Sequence, residues 1–317
     1  MSGTNEQVAR MKQKVVGVLM GGLSSEREVS LRTGAACAEA LSSLGYVVRS
    51  IDVQRDVAAR LIEERVEVAF IALHGRFGED GCVQGLLESM GVPYTGSGVL
   101  ASAMGMNKVV SKGVFRDRGL PVAPDVVLKN PADLASFRGA ADLPFALPAV
   151  VKPSGEGSSV GVLIARDEAG LLAAVQEASR LRGDVLIERF IEGREIQAAV
   201  LDGEALGAIE IVPANDFYDY AAKYEDHGTR YLFPAPIAPD QYARACHIAL
   251  EAHLALGCSG ATRSDMILTP DGELFLLELN TLPGMTAASL LPKIAAGKGI
   301  DFPSLCERLL LGASLKG

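Results

Sequence analysis

The sequence predicts a mixed α/β protein, α+β in part. It opens with a helix-covered parallel sheet and continues with antiparallel hairpins. Three observations carry this. The first third alternates continuous apolar runs with amphipathic stretches, the pattern of strands buried on both faces. In the middle third a glycine-serine loop joins two apolar runs. In the last third an Asp-Gly pair joins two more, the natural signal for a hairpin turn. With 317 residues, the chain exceeds one ordinary core and suffices for two or three packed units.

In chain order, the first fourteen residues contain no apolar stretch, so no secretory leader is expected and the first dozen or so residues read as loose. Val15 to Met20 is a short strand ending in Gly21-Gly22. A helix follows from about Ser30 to Leu44, with Ala36, Ala40 and Leu44 on one face. Val47 to Val53 and Val68 to Leu73 are further strands. Asn107 to Arg118 is helical and is stopped by Gly119 and Pro121. Ala149 to Lys152 and Val160 to Ala165 are strands flanking the loop Pro153 to Ser159, so this is a hairpin and not a strand-to-helix phosphate loop. Asp167 to Arg180 is helical, and Val185 to Glu188, Gln197 to Leu201 and Leu206 to Val212 are extended. A polar, tyrosine-rich segment runs from Asn215 to Tyr231, followed by a long helix from Asp240 to Leu256. Thr262 to Leu268 and Glu273 to Asn280 form the final hairpin.

Composition narrows the function. Hydrophobic residues make up 49% and charged residues 22%, which supports a sizeable core. The net charge of −9 argues against a general nucleic-acid binder, which needs cationic surface. It leaves small anionic ligands open, since a nucleotide site needs only local cations and backbone N–H groups. The five cysteines form no CxxC pair, so reduced thiols in the cytoplasm are expected rather than a disulfide framework or a zinc site.

The final hairpin carries the clearest chemistry. Glu278 and Asn280 are two residues apart and leave the same face of one strand. With a regular turn register, Asp265 is expected across from that face, and Arg263 shares its direction. Three oxygen-bearing side chains on rigid strands suit magnesium, and a neighbouring cation suits a developing oxyanion. A solvated polar face is the plain alternative. The flanking Phe275, Leu276, Leu277 and Leu279 argue against it, because a buried carboxylate needs a metal or cation partner.

Other candidates are weaker taken singly. Lys152 ends an apolar strand beside a glycine-serine loop able to fold over phosphates, or else beside an ordinary surface hairpin. His74-Gly75-Arg76-Phe77-Gly78-Glu79-Asp80-Gly81 follows a strand at the carboxyl end, where ligands of parallel sheets bind. Glu26, after Gly21-Gly22, could hold an ammonium group or simply compensate a helix N-terminus. The glycine spacing there lacks a dinucleotide fingerprint. The stretch Phe217 to Tyr224 suggests a lid over a site, or a surface loop anchored by aromatics.

Together these segments resemble the D-alanine–D-alanine ligase family of the ATP-grasp superfamily. Six motifs occur in family order: GGLSSEREVSL, HGRFGEDG, YTGSGVLASA, VKPSGEGSSVG, FYDYAAKY and LLELNTLPGMT. The resemblance spans Val15 to about Leu310. It implies a Rossmann-like domain over residues 1–103 and a two-lobed ATP-grasp fold, with a central lobe over 104–188 and a C-terminal lobe over 189–317. It implies ATP between the lobes, with Lys108, Lys152 and Ser159 at the phosphates, Glu188, Arg189 and Ile191 at the adenine, and Glu195 at the ribose. Asp265, Glu278 and Asn280 would hold two magnesium or manganese ions.

By the same resemblance, Glu26 holds the ammonium of the first D-alanine and His74 lies near that substrate. Ser158 and Tyr224 link Glu26 to the closing loop. Arg263 and the Gly284 N–H stabilise the tetrahedral oxyanion. Lys223, Ser289 and the Leu290 backbone receive the carboxylate of the second D-alanine. Relatives that make an ester product carry phenylalanine at the Tyr224 position, so tyrosine favours the dipeptide. The implied activity is ATP-driven joining of two D-alanines through an acylphosphate, feeding peptidoglycan synthesis in a cytoplasmic homodimer that contacts neither nucleic acid nor membrane. Leu282, Phe77 and Ser264 depart from the usual family residues without removing a proposed ligand.

Overall fold

The computed structural model describes residues 2–155, 161–181, 183–213, 228–286 and 289–317. The parallel sheet consists of β1 (Val15–Gly21), β2 (Val47–Val53) and β3 (Val68–Ile71), in the order β2-β1-β3. The expected loose N-terminus is instead a helix, α1 (Ser2–Met11). It is held because Met11 joins the core and Gln7 Nε2 donates to the Leu311 carbonyl at 3.0 Å. The second helix, α2 (Arg27–Ser43), starts three residues earlier than its apolar pattern suggests and lays Cys37, Ala38 and Leu41 on the sheet. Gly34 makes that contact close, since a Cβ there would lie 2.3 Å from Met20 Cβ. Short helices α3 (Val57–Glu63), α4 (Cys82–Met90) and α5 (Val99–Met106) complete this part.

A second sheet is antiparallel, with order β4-β7-β5-β6. It contains β4 (Asp125–Leu128), β5 (Ala149–Pro153), β6 (Leu163–Ala165) and β7 (Val185–Arg189). As expected, β5 and β6 pair as a hairpin, Ala149 opposite Ala165. Two helices, α7 (Pro131–Ser136) and α8 (Glu168–Ala178), belong to this part of the chain. The longer one is capped by Asp167, which accepts from Gly170 N at 2.8 Å, and buries Leu171, Ala174 and Val175 with Val151 and Ile187.

The third sheet is antiparallel, with order β10-β9-β8-β11-β12. It comprises β8 (Arg194–Leu201), β9 (Glu204–Val212), β10 (Arg230–Leu232), β11 (Ala261–Leu268) and β12 (Leu274–Asn280). The long helix α9 (Pro239–Ala255) buries Ala245, Ile248 and Ala252 with Ile196, Met266 and Leu276. Phe115 of α6 (Lys108–Asp117) joins that same core. Thus a helix expected in the middle part of the chain packs on the third sheet.

The C-terminal helices α10 (Leu290–Gly297) and α11 (Phe302–Leu311) put Leu291, Ile294, Leu305 and Leu310 into one core shared by the first and third sheets. Among the described residues no helix is long and apolar enough to cross a membrane.

Candidate active site

The final hairpin brings its polar residues together by a route that sequence periodicity misjudges. Counting back from the turn, Leu268 pairs with Leu274 and Met266 with Leu276. A regular ladder would then set Asp265 opposite Leu277 and turn Glu278 toward the hydrophobic core. The structure has a β-bulge between Asp265 and Met266, so Leu277 is extra and Asp265 pairs with Glu278, Arg263 with Asn280. Core leucines at 274, 276 and 279 record the slip as a spacing of two followed by three. The four polar residues therefore share the face opposite α9, as expected, but a bulge and not a regular register puts them there.

On that face Arg263 grips Asp265 through two bonds, Nε–Oδ1 at 2.8 Å and Nη2–Oδ2 at 3.0 Å. Asp265 is only 4% exposed, so its charge requires this partner. Lys108 Nζ stands 3.5 Å from Glu278 Oε2, and Asn280 Oδ1 accepts from Leu282 N at 2.8 Å. Two carboxylates and an amide oxygen form a hard donor set suited to magnesium. Among the described residues no group of three or more His, Cys, Asp or Glu side chains gathers as a metal site. The candidate set fits that finding, because its third donor is an asparagine.

Gln197 is the β8 neighbour of Asp265 in register and donates from Nε2 to Glu195 Oε1 at 3.1 Å. Sequence reasoning missed it, although it lies two residues beyond Glu195 on the same strand face.

The second sheet supplies an opposing, cationic wall. Lys152 of β5 and Lys112 of α6 both pair with Glu188 of β7. Lys112 also faces Asp125 at 3.6 Å, and Arg116 binds the same aspartate. Burial acts to raise the Glu188 carboxyl, but Lys152 and Lys112 overcome it and hold it below the usual carboxylate range. Burial likewise acts to lower the Lys152 ammonium, and Glu188 and Glu278 override it, keeping the group charged. For Lys112 burial wins and its pKa is lowered despite Glu188 and Asp125. The Glu188 side chain is thus engaged by two lysines, and beyond it Arg189 N donates to the Pro124 carbonyl at 2.9 Å and Phe190 N to the Pro148 carbonyl at 3.1 Å. Lys112, Arg116 and Asp125 escaped sequence reasoning, although Lys112 follows Lys108 by four residues and so shares its helix face.

Lys108 is placed by local structure. Asn107 caps α6, its side chain accepting from Val109 N and Val110 N, both at 3.1 Å. Lys108 N donates to the Ser154 carbonyl at 3.1 Å, which ties the helix start to the glycine-serine loop. A Cβ on Gly105 would lie 2.6 Å from Thr281 Cγ2, so only glycine lets α5 come this near the end of β12. The lysine consequently reaches the acidic hairpin.

The carboxyl end of the parallel sheet forms the third side. Glu26 occupies the N-cap position of α2, and a Cβ on Gly75 would lie 2.5 Å from Glu26 Oε2. Gly75 has φ of +67°, a left-handed conformation that favours glycine in the turn beside Glu26. His74, 6% exposed, neighbours this turn. A small cleft joins Thr33 and His74 to Leu282, Pro283 and Met285. Beyond it Ser289 begins α10, with Thr286 N donating to Ser289 Oγ at 3.0 Å, and Leu290 is buried. Gly284 packs on Ser289, a Cβ there lying 2.7 Å from Oγ.

Glu195 lies on the face carrying Asp265, and Arg189 and Ile191 follow Glu188 at the end of β7. Ser158, Ser159, Lys223 and Tyr224 lie outside the described residues.

The family model described as D-ala D-ala ligase C-terminus matches residues 114–311, and that described as D-ala D-ala ligase N-terminus matches residues 50–97. The chain is 61% identical over 303 residues to a D-alanine–D-alanine ligase of Anaeromyxobacter sp. strain Fw109-5, covering 96% of this chain and 98% of that protein. It is 53% identical over 307 residues to the ligase of Geobacter sulfurreducens, covering 96% of each. A crystal structure of the Bacillus anthracis D-alanine–D-alanine ligase complexed with ATP superposes with a TM-score of 0.82 at 35% identity, covering 94% of this chain and 97% of that one. With identity this high along nearly its whole length, the chain belongs to the D-alanine–D-alanine ligase family.

Proposed function

We propose that this chain joins two D-alanines into D-alanyl-D-alanine at the expense of ATP. The observation that carries the reading is the meeting of the two walls, where Lys108 and Lys152 border the acidic face holding Asp265, Glu278 and Asn280. Triphosphate needs cations and divalent metal together, and this junction offers both.

The carboxylate of the first D-alanine is a poor electrophile until it is phosphorylated. Its oxygen attacks the γ-phosphorus, ADP departs, and an acylphosphate forms. The second D-alanine then attacks the acyl carbon through its amine, phosphate leaves, and the amine proton is released. Glu26 holds the first ammonium, with His74, Ser158 and Tyr224 around it. Arg263 and the Gly284 N–H face the oxyanion, while Lys223, Ser289 and Leu290 hold the second carboxylate. Lys108, Lys152 and Ser159 orient the phosphates, the run Glu188, Arg189 and Ile191 receives the adenine, and Glu195 receives the ribose. Asp265, Glu278 and Asn280 would hold two magnesium or manganese ions, which when bound neutralise phosphate charge. Most of the rate then derives from positioning and fixed charge. The reading includes a three-part division near residues 103 and 188, a homodimer and a cytoplasmic location, all supported by family membership.

Glu278→Ala tests it. Phosphate release with ATP and D-alanine should vanish while the circular dichroism spectrum is unchanged. Undiminished dipeptide synthesis by that variant would overturn the metal assignment.

A further inference from the structure

His74 uses both ring nitrogens inside the protein. Nδ1 lies 3.3 Å from Glu79 Oε1, and Nε2 lies 3.0 Å from Thr33 Oγ1. The carboxylate only accepts, so Nδ1 carries the proton of the first bond, and the Thr33 hydroxyl serves Nε2 as donor or acceptor. Thr33 is 1% exposed, and its helix is pinned to the same strand end by Ser30 Oγ, which donates to the Ala72 carbonyl at 2.8 Å. Ser24 Oγ donates to the His74 carbonyl at 2.7 Å, so the backbone of His74 is fixed as well. Ring, backbone and helix form one rigid unit bordering the cleft.

We infer that Thr33 is a positioning residue for D-alanine, acting through His74. Its hydroxyl and Glu79 clamp the imidazole from opposite edges, so the ring cannot turn into the cleft or away from it. This rests on the placement of His74 at the first D-alanine made under the proposed function. The conformational order is set before substrate arrives, and substrate binding does not have to supply it. Helix α2 thereby serves the site twice, through Glu26 at its start and through Thr33 two turns along.

Thr33→Val keeps the shape and removes the hydroxyl, while Thr33→Ser restores it. The chain has four histidines, so the ring nitrogen resonances of His74 can be resolved and assigned in the ligand-free protein. In Thr33→Val the Nε2 resonance should move. The apparent KM for D-alanine should rise about fivefold, the effect of one lost buried hydrogen bond, while kcat and the KM for ATP stay within about twofold. Thr33→Ser should restore both. An unmoved Nε2 resonance overturns the clamp. A moved resonance with unchanged KM for D-alanine overturns its role in binding and locates the failure in the placement of His74. Equal impairment in Thr33→Ser reduces the residue to packing and also overturns the inference. Thr33→Ala, read the same way, stands in for Thr33→Val if the valine variant does not fold.

Discussion

The two antiparallel sheets handle buried charge in opposite ways. The second sheet closes its charges on themselves, with Lys112 and Lys152 meeting Glu188, and Lys112 and Arg116 meeting Asp125. The third presents a line of polar groups on a single face, with Arg263 on Asp265 and Glu278 reached from outside by Lys108. One wall is a compensated network and the other is an acidic ledge. A closed network fixes geometry at a desolvation cost that its own partners offset. The ledge instead lines up its oxygens on one face, with Asp265 beside Arg263 and Glu278 beside Lys108. The difference teaches that rigidity and reactivity are divided between the sheets.

The sharpest way to break this comparison acts on the ledge. One alanine inserted between Glu278 and Leu279 puts Asn280 and Leu279 on exchanged faces, because strand side chains alternate with period two. Ligation should fall by at least about a thousandfold, the scale set by losing oriented charge stabilisation. Removing one leucine of the Leu276-Leu277 pair is the control. It leaves a strictly alternating strand in which Glu278 still faces Asp265, so that variant should fold and keep measurable activity. Steady-state phosphate release and near-ultraviolet dichroism on both variants decide it. Equal loss in the two would mean that the face matters less than the bulge.

The network is broken at its hub. Glu188→Leu leaves Lys112 and Lys152 without their shared carboxylate, a change that should destabilise the protein by about 3–5 kcal/mol. The sign with pH follows from the depressed carboxyl. Its stabilisation is present above the unfolded glutamate value of about 4.3 and is lost as pH falls through the lower folded value. Wild-type stability should therefore drop more steeply below pH about 4 than that of Glu188→Leu, as read by urea denaturation across the acid range. Parallel acid limbs would show that the two lysines gain little from Glu188.

Much of this was legible in the sequence, and the exceptions have causes. The strands of the parallel sheet and the final hairpin announce themselves through apolar runs and the Asp-Gly turn. The candidate ligands Asp265, Glu278 and Asn280 follow from period-two spacing, yet the bulge that aligns them shows only in the uneven spacing of Leu274, Leu276 and Leu279. Lys112 and Asp125 were invisible because an isolated lysine on a helix reads as solvated, and only the tertiary fold buries it to 4% exposure. Helix α1 was missed for a related reason. Its order comes from contacts with the far end of the chain, at Leu311.

The smallest expected effect lies on the core side of the ledge. Ser264 sits between Arg263 and Asp265 but points the other way, pairing in register with Ala198 and Leu279 in the core that α9 covers. It is 1% exposed, and its hydroxyl has no hydrogen-bond partner among the described residues. Such an oxygen keeps its desolvation penalty without compensation. Ser264→Ala removes one atom and opens almost no cavity, so it should stabilise the protein by about 1 kcal/mol and raise the melting temperature by about 2 °C. Catalysis should be untouched, since the two flanking charges face away. A lowered melting temperature would mean that the hydroxyl is satisfied after all, and the ledge would then be anchored through polar contacts on both of its faces.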